Sequence, residues 1–133
     1  MLAKCLVTVG IVFYAVVVPI LEINQTHVFN QAWDPHARLH ETWQLFTNTS
    51  IGAFSVWLVW GKGDLRLASL LTLFVTGGFL MAYWLRDGYG GSMVLCDGTE
   101  KMIMGINLGL FAYLLALALA GLAVMLQKHR QQP

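Results

Sequence analysis

The chain has 133 residues, of which 57% are apolar and 11% charged, against roughly 25% charged in an average soluble domain. A soluble core of this size cannot absorb so many apolar side chains, so one domain dissolved in a bilayer is expected. A net charge of +1, with no basic patch or nucleic-acid motif, excludes a nucleic-acid partner.

The first predicted span covers residues 2–23. Lys4 ahead of an apolar run imitates a secretory signal, but no small-x-small cleavage site follows Ile20 and Leu21. The segment is therefore expected to stay as a signal anchor. Pro19 near its far end is tolerable where a helix ends or is kinked by its neighbours. Glu22, Asn24 and Gln25 mark the exit from hydrocarbon.

After a connector over 24–34, Asp34-Pro35 is a strong helix start, with Asp as N-cap and Pro in the first turn. The second span is predicted over 35–60, longer than the roughly 30 Å hydrocarbon core needs, so its first two turns are expected to stand in the interface. Gly61-Lys62-Gly63-Asp64 reads as a tight turn into a third span over 65–86. A glycine-rich loop, Asp87 to Ser92, follows. The fourth span is predicted over 101–126, with Gly105-x-x-x-Gly109 as a close helix-packing motif and a basic tail at Lys128, His129 and Arg130. The fold class expected is all-α: an up-down-up-down four-helix membrane bundle.

Charge orients it. Lys4, Lys62, Arg66, Lys128 and Arg130 face only Asp64 on one side. On the other, Arg38, Arg86 and Lys101 are outnumbered by Glu22, Asp34, Glu41, Asp87, Asp97 and Glu100. The positive-inside rule puts both termini in the cytoplasm. The protein is expected in a cell membrane, the bacterial inner membrane by preference. Cys5 and Cys96 fall at opposite ends, too far apart for a disulfide. Cys5 is expected buried and Cys96 in a loop. Two Asn-x-Ser/Thr matches, at Asn24 and Asn48, lie in or against the membrane and read as chance.

The chemistry is concentrated in residues 26–50, which hold three of the four histidines. At 100° per residue, His36, His40, Thr47 and Ser50 share a helical face, with Glu41, Gln44 and Asn48 beside it and Leu45, Phe46 and Ala53 opposite. Polar groups at hydrocarbon depth are costly against lipid, so this face is expected to look into the bundle. Arg38 is expected to point elsewhere and to pair with headgroups or Asp34. The acid–base candidates are His36, His40, Glu41, His27 and Glu22, because imidazole titrates near neutrality and a carboxylate partner tunes it. Asp97 and Glu100 can fold over from the last loop. Gln44, Thr47, Asn48, Trp33, Trp43 and Tyr83 are the candidate ligand-binding residues. His36 and His40 have the i, i+4 spacing of metal ligands, but two histidines do not close a metal site, so neither a metal nor a cofactor is assigned.

Thr26, His27, Phe29, Asn30, Trp33, Pro35, His36, Ala37 and His40 form a pattern, THxFNxxWxPHAxxH, that resembles a stretch of small bacterial four-span membrane proteins of unassigned function. The resemblance covers residues 26–40 and implies no activity. In architecture alone the chain is similar to sterol-isomerase-like membrane proteins, whose acidic motifs have no residue-by-residue match here. The expected function is an enzyme or binding protein for a lipophilic small molecule, using acid–base chemistry of an isomerase or cyclase kind at the outer leaflet. The alternatives are a non-catalytic accessory subunit of a larger membrane complex, or a homodimer, and a histidine-rich metal-binding membrane protein.

Overall fold

The computed structural model describes residues 1–130, with side chains as far as Gln127. The side chains of the basic tail expected at Lys128, His129 and Arg130 lie outside the described residues. The first helix, α1, is one rod over Leu2–Glu22, widened into a π turn at Phe13–Val17. The widening precedes Pro19, which has no N–H for the Ala15 carbonyl and whose ring crowds it.

The second helix, α2, runs over Pro35–Trp57 and continues as a π turn over Leu58–Lys62. Asp34 caps it, its Oδ1 accepting the His36 N–H at 2.8 Å. Gly63 then turns the chain at φ 71°, a left-handed conformation that only glycine takes without strain. Asp64 caps α3, Leu65–Leu85, by accepting the Leu67 N–H at 3.0 Å. A 3-10 turn, Arg86–Gly88, leads into the long connection before α4, Leu108–Arg130.

Each helix neighbours the next in a ring: α1 on α2, α2 on α3, α3 on α4, and α4 back on α1. The contacts of α1 with α2 show opposed directions. Lys4 lies over the Trp60 ring, Thr8 accepts from Trp60 Nε1 at 3.0 Å, and Ala15 meets Gly52 and Thr49. The end carrying Lys4, Lys62 and Arg66 is the basic end, and the end carrying Glu22, Asp34 and Asp87 the acidic one.

Small and hydroxyl side chains fill the inside. Ser55, Thr72 and Thr76 are wholly buried beside Val7, Ile11, Tyr14, Val59 and Ala68. Thr72 and Thr76 hydroxyls donate to the carbonyls of Ala68 and Thr72, at 3.0 and 2.7 Å, so these polar groups are paired within their own helix. Large apolar residues lie outside instead: Ile20 is 71% exposed, Phe46 67%, Phe74 64% and Trp84 81%. Helices α1, α3 and α4 are long and apolar enough to cross a membrane. The polar half of α2 keeps it out of that set.

Three expectations need correction. The fourth helix begins at Leu108, not 101, because residues 102–107 form a β-hairpin, β1 (Met102–Ile103) with β2 (Ile106–Asn107). Gly105 therefore packs no helix. It sits at φ 80° beside Met104 at φ 50°, in a hairpin turn that needs two positive φ angles. Close packing of α4 comes from Ala112, Ala116, Ala120 and Ala123, all buried; Gly10 of α1 comes so near that an added Cβ would stand 3.1 Å from the Ala116 carbonyl oxygen. Cys5, expected buried, is exposed and free, as is Cys96.

Candidate functional site

The ionisable groups that meet do so at the acidic end. Glu22 closes α1, and the connector folds back so that its Oε2 lies 2.7 Å from His27 Nε2, both side chains mostly buried. His27 Nδ1 is 2.8 Å from Thr26 Oγ1, which is 2.6 Å from Asn24 Oδ1. The direction of this chain follows from its ends. Asn24 Oδ1 also accepts the Thr26 N–H, and Asn24 Nδ2 donates to the Leu21 carbonyl, so the carboxamide orientation is settled. The single Thr26 hydroxyl proton must then go to Asn24 Oδ1. Thr26 Oγ1 can only accept from His27, so Nδ1 carries a proton. The other ring nitrogen shares its proton with Glu22, as an ion pair or as a neutral carboxyl–imidazole bond. Trp33 packs edge-on against the same imidazole, centroids 5.4 Å apart.

Glu41 of α2 is half-buried on the side of that helix that packs into the bundle. Tyr113, in the second turn of α4, is buried at 5% exposure. Phe79 of α3 stacks on Tyr113 with centroids 4.0 Å apart and planes 10° from parallel. Glu22, His27 and Trp33 thus form one group at the end of α1, and the Phe79–Tyr113 stack separately joins α3 to α4.

The packed face of α2 is Arg38, Glu41, Leu45, Asn48, Gly52, Ser55 and Val59, spaced alternately by three and four. This overturns the expected orientation. His36, His40, Thr47 and Ser50 are exposed, and Leu45, expected outside, is buried. One reason is steric: Gly52 sits where any Cβ would collide with the Ala15 methyl, so on this face α2 comes close to α1. Arg38 also departs from expectation. It is half-buried, its Nε shut from solvent without a hydrogen-bond partner, and no ion pair joins it to Asp34 among the described residues.

Of the predicted acid–base residues, Glu22 and His27 are brought into contact, Glu41 is half-buried on the packed face of α2, and His36 and His40 lie outside. The latter two pair with each other on the outside, Nε2 to Nε2 at 3.0 Å. Trp33 joins the cluster, whereas Trp43 is exposed and leans on His40. Tyr83 is held elsewhere, under the Arg86 guanidinium at 4.2 Å. Asp97 and Glu100 do not fold over the cluster. Both are exposed, Asp97 bonded to Thr99 and Glu100 to Asn107.

Gln44 and Asn48 line a lateral groove between α2 and α3, about 250 Å³, with Ile51, Phe74, Val75, Gly78 and Phe79. Thr47 lines a neighbouring depression of about 330 Å³ with His40 and Trp43. Neither opening reaches Glu22 or His27 directly. Phe79 is the link, lining the first groove with one side of the helix pair and stacking on Tyr113. Sequence reasoning missed Tyr113 and Phe79. The available signal was a hydroxyl-bearing ring in the first two turns of an otherwise apolar span. Among the described residues no group of three or more His, Cys, Asp or Glu side chains could hold a metal ion.

No family model, curated protein or solved structure matches the chain.

Proposed function

We propose that this chain is a multi-pass protein of a cell membrane, the bacterial inner membrane by preference, that binds or transforms a lipophilic small molecule by proton transfer. The membrane reading is supported by three apolar helices and by large side chains turned outward. Lysines over tryptophan rings at the basic end, Lys4 on Trp60 at 5.4 Å and Lys62 on Trp57 at 5.1 Å, are what an interfacial belt requires, and they favour cytoplasmic termini.

The observation that carries the functional reading is the mostly buried Glu22–His27 pair, with Glu41 half-buried on the packed face of α2. Ionisable groups gathered inside a membrane bundle are expensive, and holding a proton at a defined place is their commonest use. The lateral groove gives an apolar molecule entry between α2 and α3, with Gln44 and Asn48 as polar contacts and the Phe79–Tyr113 stack between groove and cluster. In the reaction class proposed, a carboxylate takes a proton from one carbon and the His27–Glu22 pair returns one to another. The substrate's composition is unchanged, as in double-bond isomerisation or cyclisation.

The test is thermal stability in detergent with and without a lipid extract, since a ligand stabilises what it binds. The wild type and His40→Ala should both gain melting temperature. His27→Gln and Glu41→Gln, each compared with its own ligand-free value, should not. No gain in the wild type across a broad extract, or equal gains in all four proteins, defeats the reading.

A second reading rests on a separate observation. Gln44 and Thr47 are exposed on α2, where a lipid-facing polar side chain is costly. An accessory subunit or homodimer would cover them with another helix. Purification from native membrane in mild detergent separates the two readings. Stoichiometric companions or a dimer lost on Gln44→Leu favour assembly, and a lone chain favours the first.

A further inference from the structure

We propose that His36 and His40 form a two-imidazole site for a divalent transition-metal ion of tetragonal preference, copper(II) first among them. The site is independent of the proton-transfer reading, because both rings lie on the face of α2 opposite Leu45.

The two histidines are one helical turn apart, and the cap at Asp34 fixes the backbone that carries them. Their Nε2 atoms stand 3.0 Å apart, with the rings 83° from coplanar. At a metal–nitrogen distance of about 2.05 Å, that separation subtends roughly 94° at the ion, close to the right angle between neighbouring positions of a tetragonal or octahedral sphere. A tetrahedral ion wants the nitrogens roughly 0.3 Å further apart. The bite fits copper(II) or nickel(II), and copper(II) leads on intrinsic affinity.

Apart from their bond to each other, neither nitrogen has a hydrogen-bond partner among the described residues. The two rings bond to each other, both side chains are exposed, and turning them about Cβ–Cγ disturbs no packing. The first turn of α2 is the positive end of its dipole, which opposes a cation, and the Asp34 carboxylate at the cap offsets part of that. The protein supplies two ligands, and water completes the sphere.

Trp43 is a built-in reporter, its ring centred 5.8 Å from that of His40 and within quenching reach of a paramagnetic ion. Purified full-length protein in detergent micelles is titrated with copper(II) alone, read by tryptophan fluorescence and by electron paramagnetic resonance. The wild type should quench saturably at one ion per chain and give a two-nitrogen spectrum. His36→Ala and His40→Ala should each weaken binding by about tenfold or more, and His27→Gln should leave it unchanged. Unchanged affinity in the His36→Ala/His40→Ala double variant overturns the proposal, as does a spectrum with fewer than two nitrogens in the wild type.

Discussion

Thr49 donates its hydroxyl to the carbonyl of Ala15 at 3.0 Å, the carbonyl that Pro19 leaves without its helical donor. A residue of α2 thus mends the break that proline makes in α1, and the π turn at Phe13–Val17 gives that hydroxyl room. Thr49→Val should lower stability by about 1 kcal/mol, the net worth of one hydrogen bond. In a Pro19→Ala background, where residue 19 supplies its own N–H, the same change should cost at least roughly 0.5 kcal/mol less. Thermal or denaturant unfolding of the four proteins in one detergent measures the difference. Equal costs in the two backgrounds would show that the bond does not compensate for Pro19.

Gly52 is the closest approach of α2 to α1. Gly52→Ala brings its one new methyl into collision with the Ala15 methyl and should cost about 1–3 kcal/mol, the usual range for overpacking. Ala15→Gly in the same chain removes the second methyl and should restore at least half of the loss. A double variant no more stable than Gly52→Ala would mean that the helices do not meet there.

The hydrogen-bond chain from Asn24 to Glu22 makes a claim about one proton. Nitrogen-15 spectra of labelled histidine should show His27 Nδ1 protonated in the neutral range, because Thr26 Oγ1 can only accept. Thr26→Val removes that acceptor and should cost roughly 1–2 kcal/mol for a donor left unpaired. A His27 ring with Nδ1 bare in the wild type contradicts the assigned direction.

Asp97 supplies a pH prediction outside the helices. The Thr99 hydroxyl and N–H, bonded to its Oδ1 at 2.6 and 2.9 Å, hold the Asp97 carboxyl below its ordinary value. A depressed folded value means that the 95–99 turn is fully supported above the unfolded carboxyl range and loses that support as pH falls through the folded value. In carbon-13 titration Thr99→Val should raise the Asp97 midpoint. A midpoint that does not move removes the Thr99 hydroxyl as the cause.

Much of this was legible along the chain. Composition alone pointed to long apolar helices, Asp34-Pro35 announced the start of α2 to the residue, and Gly63-Asp64 announced the turn into α3, because caps and left-handed turns are local chemistry. Glu22, His27 and Glu41 were recognisable as unusual groups. Which way α2 turns was not legible, since polar residues surround its first half and burying the polar arc looked cheapest. The deciding term was steric fit between Gly52 and Ala15, a relation between two helices that no single helical wheel contains. The same packing put His36 and His40 outside and left Arg38 half-buried. Periodicity says which residues share a face; only packing against a neighbour says where that face looks.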